Sequence, residues 1–236
     1  MTEWKARRFW TEATVVDDAH GFGVRLDERP VRTPAKAPLV VPTRAMADAI
    51  AGEWQAQQDV VDPQAMPVTR SANAAIDKVS AQRAEVVAML TAYGDADLTC
   101  YRAAEPEALV RRQSAAWDPL LDWAAEALGA RLIPVEGVVH IAQPANSLAR
   151  LAAPVERMTP FELTGFHDLV SLSGSLVIAL AATHDVMPLF ELWSRSRIDE
   201  TWQEEQWGAD EEATEAAALK RRGFLHAHSF YQMSRN

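Results

Sequence analysis

The sequence predicts an α+β protein. A small antiparallel β-rich N-terminal domain, residues 1–79 with one or two short helices, should precede a larger, mostly helical C-terminal domain, residues 80–236. Three observations predict it. From Phe9 to Val41, short β-prone runs alternate with turn residues, beyond Ser80 the apolar residues recur at helical spacing, and no low-complexity linker separates the two parts.

The β unit is read from "FWTEATVV", the turn Asp-Asp-Ala-His-Gly, "FGVRL" and the turn Asp-Glu-Arg-Pro, with Pro34, Pro38 and Pro42 close behind. Thr43 stands where an N-cap belongs, and Ala47, Ile50, Ala51 and Trp54 mark one face of a helix that starts near Arg44. Pro63 and Pro67 bracket a short extended link, and Ser71 is positioned to cap a second helix through "ANAAIDKV". The C-terminal part should hold helices at about 80–93, 105–129, 145–157, 160–183, 188–207 and 210–233. Between the second and third of these, "ARLIPVEGVVHIA" alternates as a hairpin would, turning near Glu136-Gly137. Trp117, Leu120, Leu121 and Ala124 are spaced as a core face; Trp4, Phe9 and Trp10 could cap the β unit or lie exposed.

Charge and composition exclude several functions. The net charge of -10 argues against gripping a phosphate backbone, so no nucleic-acid partner is expected. The longest strongly apolar run, Leu169 to Ala182, has 14 residues. A membrane-crossing helix needs about 20, so this run reads as a buried helix and no membrane insertion is expected. A single cysteine, Cys100, allows no internal disulfide, and "MTEWKARRFW" has no apolar signal core. A reducing, cytoplasmic setting follows as the expectation.

The motifs of common chemistries are missing. Gly21 and Gly23 supply two positions of a dinucleotide fingerprint, but Leu26 stands at the third, so turn glycines are the plainer reading. "LSGSLV" lacks the frame of a nucleophile elbow, and Gly174 and Ser175 read instead as small residues that let another helix approach. No His-Glu-x-x-His pair exists, and His226 and His228 would point to different sides of a helix, so neither a metal nor a cofactor is expected. Cys100 reads as a small buried residue.

The stretch "SRIDETWQEEQWG", Ser196 to Gly208, is different. On one continuous helix at about 100° per residue, Leu189, Trp193, Ser196, Glu200 and Trp207 share a stripe, with Ile198 and Trp202 opposite. Glu200 then lies between two tryptophans. From Asp185 to Glu215 ten acidic residues accompany only Arg195 and Arg197, which suits a solvated surface, whereas tryptophan suits an interface. Glu200 and Glu204, at i and i+4, could also be a general acid and base of a small-molecule hydrolase or lyase, although no nucleophile, metal or oxyanion hole is apparent nearby.

Six blocks in order, "RPVRTPAKAPLVVPT", "EWQAQQDVVDPQAMPVTRSANAAID", "YGDADLTCYRA", "RRQSAAWDPLLDWA", "GSLVIALA" and "SRIDETWQEEQWG", resemble the Atp-twelve family of F1-ATPase assembly chaperones. The resemblance implies an α+β protein that is not an enzyme and binds no cofactor. It implies a partner, the newly made alpha subunit of the ATP synthase head, held and kept from aggregating until a beta subunit replaces the chaperone. It also implies a bacterial, cytoplasmic member. An acidic residue on the last-but-one helix is essential in the family and maps here to Glu200, with Asp199, Glu204 and Glu205 close enough to be the match. Glu200, Trp193, Trp202, Glu204 and Trp207 are thus the candidate partner-binding residues. Two positions depart from the family pattern. Glu28 stands where glycine is common, implying that this turn demands no positive φ there, and Ser71 stands where leucine is common, removing one packing contact.

Overall fold

The computed structural model describes residues 7–235, so Trp4 lies outside the described residues. The chain forms two compact units. The first takes residues up to Arg83, Thr159–Gly165 and the segment from Ser229; the second takes Ala84–Met158 and Phe166–His228. Two late segments thus return to the first unit, which a division at one point of the chain does not describe.

In the first unit, β1 (Ala13–Asp18) and β2 (Gly21–Leu26) form an antiparallel hairpin in the register Ala13↔Leu26 to Asp18↔Gly21. The other edge of β2 receives β3 (Arg29–Pro30) and β4 (Val40–Val41). Gly21, at φ +145°, lies so close to the Val41 carbonyl that a Cβ there would stand 2.2 Å from its oxygen; the glycine is demanded by a close backbone approach. In the β2–β3 turn, positive φ falls on Asp27 and not on Glu28. Asp27 also accepts the Thr11 and Glu12 N–H groups, at 3.0 Å each.

α1 (Arg44–Gln55) begins at Thr43, whose Oγ1 accepts from Met46 N and donates to Met233 O. Met46, Ala47 and Ile50 are fully buried against Val24, Leu26, Leu39 and Val41 of the sheet, with Phe230 in the same core and Trp54 at its edge. Trp10 is buried there and Phe9 is exposed.

α2 (Pro67–Ala74) starts four residues before the expected cap at Ser71. Its N-cap position is Met66, which cannot cap, so Glu53 of α1 does so: its carboxylate accepts from Val68 N at 2.7 Å, Thr69 N at 2.8 Å and Thr69 Oγ1 at 2.7 Å. A non-local cap replaced the local one.

The second unit contains α3 (Arg83–Ala92) from Ala84 onward, β5 (Tyr101–Arg102), α4 (Glu107–Ala127), β6 (Val135–Glu136), α5 (Ala145–Glu156), most of α6 (Pro160–Ser173), α7 (Leu176–Thr183), α8 (Leu189–Arg195), α9 (Ile198–Trp207) and α10 (Glu211–Met233) as far as His228. No helix among the described residues is long and apolar enough to cross a membrane.

Three expectations change here. The helix expected over 160–183 is two, because Gly174 turns the chain at φ +70° and Ser175 caps α7 by accepting from Ile178 N at 2.9 Å. Gly174 and Ser175 therefore serve a helix break, not a helix crossing. The expected hairpin near Glu136-Gly137 does not form: Val135 and Glu136 pair in parallel with Tyr101 and Arg102. The helix expected over 188–207 is also two, α8 and α9, interrupted at Ser196 and Arg197.

α7 is buried on all sides, so its N-terminus has no water to satisfy it. Asp97, fully buried, supplies the partner: Oδ1 accepts from Ser175 Oγ and Thr99 Oγ1, each at 2.7 Å, and from Thr99 N at 3.0 Å, while Oδ2 accepts from Val177 N at 3.0 Å. Burial pushes the Asp97 carboxyl up, opposed by these four donors.

Beside it, Cys100 is pushed up to about 12, first by burial and then by the Asp97 charge. Cys100 should therefore resist alkylation in the native protein at pH 8 and react fully in denaturant; mass spectrometry of iodoacetamide-treated protein checks this, and rapid native labelling would contradict it.

Candidate functional site

The break between α8 and α9 is local in origin. The buried Ser196 returns both its N–H and its hydroxyl to the Trp193 carbonyl, the hydroxyl at 2.7 Å, which ends α8. Arg197 then occupies the N-cap of α9, and Asp199 and Glu200 lie in the first turn, where negative charge complements the helix dipole.

α4 holds this corner by four contacts. Trp117, fully buried, donates its indole N–H to Arg195 O at 2.8 Å, and Arg195 returns a guanidinium N–H to Ala116 O. Gln113 donates to Asp199 Oδ1 at 2.7 Å and accepts from Ala103 N at 2.8 Å. Arg112 forks onto Glu205 at 2.6 and 3.0 Å. That hydrogen-bonded pairing holds the Glu205 carboxyl below its ordinary value and raises Arg112. Under Trp117 lies Arg102, its guanidinium 5.2 Å from the ring and 2.8 Å from Asp118 Oδ1; its Nε and Nη1 are buried with no hydrogen-bond partner among the described residues.

The break rotates α9 relative to α8, so the continuous stripe expected from Leu189 to Trp207 does not form. Trp193 is only 7% exposed, packed against Phe224 at 5.5 Å with Arg197 over its ring. Glu200 is half-buried and pairs through Oε1 with Arg197 Nη1 at 2.5 Å. Trp202 and Glu204 are half-buried, and Trp207 is 79% exposed. Of the five candidate residues, the structure gathers Glu200, Trp202, Glu204 and Trp207 on one helix and places Trp193 in the core.

A second exposed feature escaped the sequence reading. Val138 is 93% and Val139 73% exposed, and Ile133 and Ile141 are also exposed. Gln143 clamps Ile133 through both its N–H and its carbonyl, at 2.8 and 2.9 Å, and Gly137 N donates to Arg102 O at 2.8 Å. His140 bridges Asp95 at 3.2 Å and Tyr101 at 3.3 Å. The loop thus presents aliphatic side chains from a braced backbone. Its apolar alternation looked like a half-buried strand, so the sequence signal pointed the wrong way.

In chemical terms α9 offers carboxylates and the Trp207 indole, and the loop over 133–141 separately offers aliphatic surface. Among the described residues, no group of three His, Cys, Asp or Glu side chains is placed to hold a metal ion. The carboxylate that burial pushes up is Asp97, enclosed by donors of its own chain.

Known proteins match this architecture closely. The family model described as ATP12 chaperone protein matches residues 7–125. Atp12 from Paracoccus denitrificans is 50% identical and superposes with a TM-score of 0.96, over 99% of this chain and 100% of that one. An aspartate-to-lysine mutant of that protein gives 49% identity, the same TM-score and the same coverage. A protein of Agrobacterium tumefaciens, proposed to be a chaperone, is 44% identical with a TM-score of 0.92, over 96% of this chain and 85% of that one. With one family model spanning half the sequence and relatives of this identity spanning nearly all of it, the chain belongs to the ATP12 chaperone family.

Proposed function

We propose that this chain is a chaperone for assembly of the F1 sector of ATP synthase in the bacterial cytoplasm, holding the unassembled alpha subunit and preventing its aggregation until the beta subunit replaces it. One observation carries the reading: a protein of this family exposes Trp207 on a helix braced by Gln113 and Arg112, with the half-buried Glu200 and Glu204 on that helix. An unassembled subunit exposes apolar surface destined for its neighbours, and such surface drives aggregation. Reversible cover by Trp202, Trp207 and the aliphatic loop lowers the free concentration of the sticky species by mass action. Glu200 can engage a basic or amide group of the alpha subunit through Oε2 while Arg197 holds Oε1. The bacterial relatives and the chaperone family support this reading.

Glu200→Lys should weaken capture of purified alpha subunit at least tenfold, about 1.4 kcal/mol, with the fold retained by circular dichroism and the melting temperature lowered only by the lost Arg197 pairing and helix-dipole contact. Calorimetry with the variant checks this. Unchanged affinity would remove Glu200 from the contact.

A further inference from the structure

We propose that the acidic stretch from Glu204 of α9 to Leu219 of α10, centred on Trp207, is a docking surface for an arginine-bearing, positively charged segment of the partner protein. The proposal rests on the reading of this chain as a holder of another protein, and it names the chemistry of the segment held.

The first observation is an unpartnered helix. Every residue from Glu211 to Arg222 is exposed except the half-buried Ala217, and burial begins only at Phe224. Twelve helical residues, about three turns, therefore stand with water around them, although Ala216 and Leu219 give them an apolar face one turn apart. A helix without packing is marginal in water. Its bare face is what a partner would cover.

The second observation is how the charges pair. Between Ile198 and Leu219 the sequence has eight carboxylates and no lysine or arginine, and the cations Lys220, Arg221 and Arg222 follow only at the far end of the exposed turns, leaving the stretch acidic by five charges (eight negative, three positive). Three of the carboxylates are engaged within the unit: Asp199 by Gln113, Glu200 by Arg197 and Glu205 by Arg112. The remaining five, Glu204, Asp210, Glu211, Glu212 and Glu215, have no cationic partner among the described residues, and Asp210 serves only to cap α10 at Ala213 N. Contacts to α4 hold α9 at both ends, through Asp199 in its first turn and Glu205 in its last, and the unpaired carboxylates flank the turn at Gly208.

The third observation is the exposed indole. Trp207 is the last residue of α9, directly before that turn. An indole face attracts a cation, and arginine suits the combination better than lysine because its planar guanidinium stacks on the ring while its N–H groups fork onto a carboxylate. The same charge repels nucleic acid and anionic lipid headgroups. Complementarity therefore selects a basic polypeptide, and long-range attraction would speed its encounter.

The test uses the full chain and two probes, purified alpha subunit and a fluorescently labelled peptide of alternating arginine and leucine. One variant carries Trp207→Ala. A second carries Glu204→Gln, Glu211→Gln, Glu212→Gln and Glu215→Gln. A control of equal net charge carries Glu12→Gln, Glu28→Gln, Asp48→Asn and Asp59→Asn. Wild type and control should bind the peptide equally, with affinity falling as salt rises, and both variants of the acidic stretch should bind it at least tenfold more weakly with unchanged melting temperature. Alpha-subunit binding should fall in the same two variants. Equal peptide binding by all four proteins, no binding by wild type, or equal binding of an aspartate–leucine peptide would overturn the proposal, as would a dimer of this chain that depends on Trp207. Alpha-subunit binding lost in Glu200→Lys but intact in both variants of the acidic stretch would overturn the docking surface alone. Wild type that takes the peptide but no alpha subunit would overturn the holding function and leave the cationic specificity standing.

Discussion

Replacing Asp97 by alanine is expected to destabilise the helical unit by about 3 kcal/mol, because it orphans buried donors on three residues at once. The Ser175 hydroxyl, the Thr99 hydroxyl and N–H, and the Val177 N–H all converge on this carboxylate. Ser175 loses its anchor while still having to cap α7, and α7 has no exposed face from which water could substitute. Asp97→Asn should cost less, because the amide oxygen can still accept while its NH2 now faces a donor.

The pH dependence separates the two variants further. Burial raises the folded-state pKa of Asp97, so the native protein binds the proton more tightly than the unfolded chain. The contribution of this group to stability is therefore largest below the ordinary value of 3.8 and is lost as pH rises through the elevated folded value. Asp97→Asn removes that slope. Urea titrations of both proteins across this window check the sign; a parallel pH dependence would contradict it.

Trp117→Ala is expected to cost about 4 kcal/mol, the range for deleting a large, fully buried aromatic side chain. It also removes the indole N–H from Arg195 O and the ring from Arg102, leaving that guanidinium further from any compensation. Trp117→Phe keeps most of the packing and loses the hydrogen bond, at about 1 kcal/mol. Because Arg195 O lies at the end of α8, both variants should loosen the corner that sets the direction of α9. Denaturation midpoints and alpha-subunit affinity should fall together, in the order Trp117→Ala, then Trp117→Phe. A destabilised Trp117→Phe with full affinity would disconnect the corner from binding.

Features set by near neighbours were legible in the sequence. The Thr43 cap, the buried face of α1 and the core face of α4 at Trp117, Leu120, Leu121 and Ala124 all depend on spacing within a few turns. Features set by distant partners were not. The Gly174-Ser175 break is completed by Asp97, 78 residues away from Ser175, and the cap of α2 comes from Glu53 on another helix. Val135 pairs with Tyr101 in parallel, which hairpin alternation cannot anticipate.

The candidate site divides the same way. Glu200 and Trp207 were singled out by residue type, by the family resemblance and by a stripe that assumed one continuous helix, which the break at Ser196 and Arg197 removes. The burial of Trp193 depends on Phe224, and the break at Ser196 looked like one more residue of a long helix. An Arg197 three residues before Glu200 was the one local sign that this carboxylate is already half engaged.

Light scattering of purified alpha subunit at assembly temperature, with equimolar chain and then with beta subunit added, tests the central claim most directly. Scattering should stay at baseline with the chain present, and size-exclusion chromatography after beta addition should show an alpha–beta complex with the chain released. Aggregation at the uncovered rate, or a chain that stays bound in the finished complex, would contradict it.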